Sequence, residues 1–297
     1  MWCSVFTFFA FKHRGNIKMN NLYYNCIMKT SFFKVCLAAL LAVFSLSSCL
    51  ESNDDGTRST YGFFKPVSLM GYSYYVDASG FKYVPTATSS TSTTTPSYAS
   101  DLVLLQFSYN ANNLTMESTS LDITLLASPY YVRALEYVSE AETEDNKALS
   151  IYNIEGLGLW GTDYLILPIS TRVHKSTTND TFETEAANHH FELYMDEEGS
   201  SDNQNVLRLK LRYTIDDVTA DDEDKLKEYT TYYSDYMSCD IRRAVYDYQV
   251  LNGGDYPEKI EVSYQMSQAG AVTGADKGIK SSVSVLYPKK DETTDQQ

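Results

Sequence analysis

Alternation of apolar and polar positions is the main structural signal of the chain. It is clearest at Val206–Tyr213, where Leu207, Leu209, Leu211 and Tyr213 share one face and Arg208, Lys210 and Arg212 the other. A period of two marks a half-buried strand. A one-residue slip would bury three cations, so the register is set by the pattern itself. Asp101–Asn110 repeats the motif with Val103, Leu105, Phe107 and Tyr109, and so do Leu121–Leu125, Phe191–Met195 and Ile260–Met266. Leu69–Val76 and Phe81–Val84 flank Asp77-Ala78-Ser79-Gly80 and read as a hairpin. Trp160–Ile169 reads as a turn and then a buried strand, with Pro168 pointing to an edge or a bulge. Helical expectations are few: Tyr130–Glu140 as a strand running into a short helix, and Asp221–Tyr229 as one or two turns with acids at its start. Short strands, turn signals and few helices predict an all-β protein with a short helical excursion.

A different pattern governs the start. From Met28 the chain runs through Lys29 and Lys34 into the apolar stretch Val35–Phe44 and then Leu46-Ser47-Ser48-Cys49. The apolar stretch is about ten residues, half of what a membrane-spanning helix needs, and it fits the core of a secretory signal. An apolar residue, two small residues and a cysteine form a lipobox. The small residues let the site enter a peptidase as an extended strand, and the thiol takes the lipid. Cys49 is therefore the expected lipidation site, with palmitate among the acyl chains. The expected location is the outer membrane, facing the periplasm or the surface. Residues 1–27 place an aromatic, basic segment ahead of a complete signal, so translation is expected to start at Met28. Residues 49–60, polar and acidic after the cysteine, read as a tether.

Charge and cysteine content narrow the classes. The leader, residues 1–48, holds five basic residues and no acid, which leaves 19 basic against 39 acidic residues and a net charge of −20. Such a surface repels nucleic acid, so no nucleic-acid partner is expected. The remaining 249 residues suffice for one large or two small domains. The polar break Ala141–Lys147 suggests domains at 61–150 and 151–268, followed by a polar tail, 269–297. Thr86–Ser97, rich in serine and threonine, reads as a loop inserted into the first. Beyond the leader only Cys49 and Cys239 remain, so a lipidated Cys49 leaves no intramolecular disulfide, and Cys239 reads as a small buried side chain.

Catalytic and metal signals are absent from the pattern. The histidines after the leader are His174, His189 and His190, and adjacent residues of a strand point to opposite faces, so His189 and His190 cannot grip one ion there. Asp216–Asp224 lacks the order of a calcium loop. There is no nucleophile elbow, phosphate loop or dinucleotide fingerprint. No cofactor, no metal and no enzymatic activity are expected. Tyrosine is the unusual feature: Tyr229, Tyr232, Tyr233 and Tyr236 lie at spacings of three, one and three beside acids. On a helix they would share one face and form an aromatic patch for a protein partner or a glycan; on a strand they would scatter over both faces. Tyrosine also simply suits half-buried strands.

The order of these segments resembles the NigD-like lipoprotein family of Gram-negative gut anaerobes. The resemblance rests on the lipobox with its acidic tether, Tyr74–Pro85, Asp101–Tyr109, Asp163–Leu167, His190–Leu193 and Leu207–Arg212. Tyr213-Thr214 stands where that family has a His-Asn pair, and 216–236 is longer and more acidic. The resemblance implies an OB-like barrel in the first half and a β-sandwich in the second. It implies no catalytic residue set. Two functions follow as expectations: a non-catalytic envelope lipoprotein in bacteriocin-related protection or envelope assembly, or a glycan-binding lipoprotein of a polysaccharide-capture system.

Overall fold

The computed structural model describes residues 56–69, 72–86, 99–115, 117–139, 147–178, 181–201 and 205–288. Cys49, the signal segment, Met28, residues 49–55 of the tether, most of the Ser/Thr-rich insertion, the break at 141–146 and the end of the tail lie outside the described residues. Among the described residues, no helix is long and apolar enough to cross a membrane.

The protein is all-β. Strands β1 (Thr57–Leu69), β2 (Tyr72–Val76), β3 (Lys82–Pro85), β4 (Ala99–Asn110) and β5 (Ser120–Leu125) pair in the order β1-β2-β3-β5-β4, and β4 returns to β1. The result is a closed five-stranded barrel with β3 and β5 parallel, the OB-like barrel that the resemblance implied. The alternation of β4 does what the pattern predicts: Val103, Leu105 and Phe107 are buried, and they meet Phe64, Leu121 and Ile123 in the barrel core. Rings fix the centre, with Phe64, Tyr83 and Phe107 in mutual edge contacts at 4.7–5.6 Å. The β2–β3 turn is closed by Asp77, whose carboxylate accepts from the N–H groups of Ser79 and Phe81, while Gly80 takes φ +84°.

The second half is a sandwich of two sheets. Its strands are β6 (Tyr130–Ala134), β7 (Glu136–Val138), β8 (Asn153–Ile154), β9 (Gly158–Trp160), β10 (Tyr164–His174), β11 (His189–Met195), β12 (Val206–Ile215), β13 (Tyr229–Asp240), β14 (Lys259–Met266) and β15 (Ile279–Leu286). One sheet runs β6-β13-β10-β8, with β9 also on β10; the other runs β15-β14-β12-β11-β7. Short helices punctuate them: α1 (Phe182–Ala187), α2 (Glu197–Ser200), α3 (Glu223–Leu226) and α4 (Arg242–Leu251). Leu207, Leu209 and Leu211 of β12 face Leu165, Leu167 and Ile169 of β10 across one large core. α4 closes that core with Ala244, Val245 and Tyr248.

Several segments differ from their sequence expectation. Tyr130–Val138 is two strands with no helix. Asp221–Tyr229, by contrast, holds the single helical turn expected of it, α3, with Glu223 and Asp224 at its start and Leu226 buried. By pairing, Glu136–Val138 and Ile279–Leu286 belong to the second sheet of the sandwich, although the sequence pattern put them in the first domain and in the tail. Arg212 faces away from the core as expected, but it is 8 % exposed and pairs with Glu192 at 3.5 Å.

Barrel and sandwich share a sheet. β6 pairs with β4 of the barrel on one side and with β13 of the sandwich on the other. A small core lies at the junction: Leu102 and Val132 are fully buried against Tyr164, Ile166, Phe63 and Trp160. Trp160 Nε1–H donates to the Phe63 carbonyl at 3.0 Å. Beside it, the Tyr164 hydroxyl donates to Asp101 at 2.6 Å and Lys65 Nζ to the same carboxylate oxygen at 3.0 Å. These two donors hold the Asp101 carboxyl below the usual carboxylate range.

Candidate functional site

The four tyrosines singled out in the sequence lie on strand β13, not on a helix, and this corrects the single-face expectation. Thr230 and Thr231 are β-branched, and the segment pairs with β10 from Tyr229 to Asp240, so sheet pairing overrides the helical spacing. The strand divides the tyrosines. Tyr229 packs against the sandwich core and meets the rings of His174 and His189 edge-on. Tyr233 is half-buried, lies on the Phe182 ring at 4.3 Å and donates its hydroxyl to Asp235 at 2.7 Å. Tyr232 and Tyr236 stand on the opposite, outer face, 51 % and 38 % exposed.

That outer face is assembled from strands the tyrosine pattern did not include. Across from Tyr236 lies Pro168, across from Ser234 lies Ser170, and across from Tyr232 lies Arg172. The Tyr232 hydroxyl shares a 2.9 Å hydrogen bond with Ser170 Oγ, and Ser170 donates on to Ser234 Oγ at 3.1 Å. Tyr152 meets the Tyr232 ring edge-on at 5.3 Å. The Arg172 guanidinium sits over the Tyr152 ring and donates to the carbonyls of Ala269 and Thr230. Phe63, from the barrel, contacts Tyr236 at 5.3 Å. Sequence reading missed Tyr152, Arg172, Ser170 and Phe63. The alternation of Pro168, Ser170 and Arg172 on β10 was a usable signal for two of them, but Tyr152 and Phe63 reach the face only through pairing over long sequence distance.

The inner side of β13 holds a buried polar group. His189 Nδ1 bonds the Tyr213 hydroxyl at 2.7 Å and Nε2 bonds Glu185 at 3.1 Å. Glu185 also accepts from the His174 backbone N–H at 3.0 Å. Burial pushes the His189 imidazole below its ordinary pKa and the Tyr213 hydroxyl above its own. A neutral imidazole that donates from Nε2 to the carboxylate and accepts at Nδ1 from tyrosine satisfies every partner. His190, on the other face, is exposed and bonds Asp216 at 2.9 Å.

Other candidates are inert. The Cys239 thiol is buried and pushed up to about 12, which keeps it protonated and non-nucleophilic. Among the described residues, no group of three or more His, Cys, Asp or Glu is placed to hold a metal ion. A depression of about 490 Å³ is lined by Leu135, Glu136, Tyr137, Asp240, Arg242 and Arg243, and both of its arginines are already paired, Arg242 with Asp240 and Arg243 with Asp247.

No protein-family model matches the sequence, and no protein of curated function matches it. Solved structures do. A lipoprotein candidate from Bacteroides fragilis superposes with a TM-score of 0.60 at 21 % identity, over 78 % of this chain and 99 % of that one. The chain shares the fold of that Bacteroides protein. A protein of unknown function from Bacteroides vulgatus superposes with a TM-score of 0.50 at 13 % identity, over 79 % and 93 % of the two chains. A NigD-like immunity protein from Bacteroides caccae also matches, with a TM-score of 0.46 at 14 % identity over 75 % and 96 %.

Proposed function

We propose that this protein is a NigD-like, lipid-anchored protein of the outer membrane that binds a partner and catalyses nothing. The observation that carries the reading is the lipobox Leu46-Ser47-Ser48-Cys49 behind a signal-like apolar run. The fold shared with a Bacteroides lipoprotein candidate supports it. So does the chemistry of the described residues: the thiol is buried and protonated, and the buried histidine has both nitrogens engaged inside the core. The strand motifs favour a role in bacteriocin-related protection or envelope assembly, with a protein partner. The second reading, a glycan ligand, is favoured by the outer face around Tyr232.

Cys49→Ala tests the anchor. The wild-type chain is expected to co-sediment with outer membranes and to resist a salt wash. The variant is expected to appear in the soluble envelope fraction. A variant that stays with the washed membrane refutes the anchor.

A further inference from the structure

We propose that the outer face of β10 and β13, centred on Tyr232, is a stacking site for a neutral oligosaccharide. The inference deepens the glycan reading above, and it does not depend on lipidation.

A tyrosine on an outward-facing strand position normally stands off the sheet. Tyr232 instead brings its hydroxyl to 2.9 Å from Ser170 Oγ on the neighbouring strand, and Ser170 is fully buried. A ring whose para oxygen is bonded to the sheet floor must lie down across it. One face then covers the strands and the other faces solvent, in keeping with its 51 % exposure. The Tyr152 ring packs perpendicular to it at 5.3 Å and helps to hold it in place. A flat, prefixed aromatic face loses little rotamer freedom on binding, which favours ligands that bring only weak contacts.

The surroundings select the ligand. Around the ring lie the exposed hydroxyl of Ser234 and the guanidinium of Arg172, which spends two of its five N–H groups on the carbonyls of Ala269 and Thr230. A pyranose has an apolar C–H face for the ring and a rim of hydroxyls for these groups. A protein anchor would instead seek a desolvated apolar pocket, and this face is flanked by hydroxyls and a cation. The chain's negative net charge disfavours acidic sugars, so the ligand is neutral. Tyr236, four residues along the strand and about 13 Å away, offers a second ring. The face therefore suits a chain of sugar rings better than a monosaccharide.

The test is affinity electrophoresis of the full chain through gels containing starch, galactomannan, xyloglucan or laminarin, followed by calorimetry with the matching oligosaccharides. At least one glycan is expected to retard the wild type, with a Kd of about 1 mM or tighter. Tyr232→Ala is expected to weaken binding about tenfold or more with its melting temperature unchanged. Tyr232→Phe keeps the ring but frees its pin, and should lose less. Ser234→Arg fills the open face without removing the ring; it should also abolish retardation, and it decides the matter if Tyr232→Ala proves unstable. No retardation by any of the four polysaccharides overturns the proposal, as does retardation that Ser234→Arg leaves intact. A chain that fractionates with membranes but binds no glycan defeats this inference alone. A chain released from membranes that still binds defeats only the anchor.

Discussion

Leu209→Ala is expected to destabilise the protein by about 2–5 kcal/mol, the usual cost of truncating a core leucine to alanine. Leu209 is fully buried and lies on β12, which is paired on both sides, with β11 and with β14. The cavity would open in the middle of the sandwich core, where two sheets meet and neither can collapse into it without breaking pairing. Equilibrium denaturation in urea reads the effect as a lower midpoint at unchanged slope. A loss below about 1 kcal/mol would mean that the sheets close over the gap, and that the core is less tightly packed than its burial indicates.

The second large effect is expected at His189, and it depends on pH. The folded state holds this imidazole neutral, because burial depresses its pKa. The unfolded chain titrates it near 6.5. As pH falls below that value, the unfolded state takes up a proton that the folded state refuses, so stability falls. The contribution is fully present above the unfolded pKa and is lost progressively on acidification. Urea midpoints compared at about pH 7.5 and about pH 5.5 stay above the ordinary carboxylate range, so the drop reports histidine. His189→Gln is expected to flatten it. Tyr213→Phe should cost about 1–3 kcal/mol at neutral pH, because Nδ1 loses its donor in a buried site. Equal pH slopes in wild type and His189→Gln would remove His189 as the cause.

Most of the strand framework was legible in the sequence. β4 and β12 carry clean alternation, and both bury the predicted face. The Asp77–Gly80 turn was legible because only a few residue types close so tight a reversal. α4 was not. Ala244, Val245 and Tyr248 recur at helical spacing, but Ile241 at the N-cap position is no capping residue and Tyr246 and Tyr248 also alternate as in a strand. The opposite error occurred at Tyr229–Tyr236, where helical spacing hid a strand that β10 enforces. The candidate site was half legible for the same reason. The sequence pointed to Tyr232 and Tyr236, but whether a ring stands or lies flat depends on Ser170, 62 residues away along the chain. No local pattern encodes that contact.

The shared strand β6 also sets the order in which the chain can acquire its structure. The barrel is made of neighbours in sequence, and it can close once β5 exists. β6 then waits: its other partner, β13, comes about a hundred residues later, and the adjacent Tyr137 finds Asp247 only 110 residues on. Closing so long a loop before any contact rewards it makes the second step slow. During that wait the free side of β6 is an open strand edge, the kind of surface that pairs with whatever chain it meets. Refolding is therefore expected in two phases, with part of the strand circular dichroism returning before the fluorescence of Trp160 at the junction, and the yield should fall as protein concentration rises.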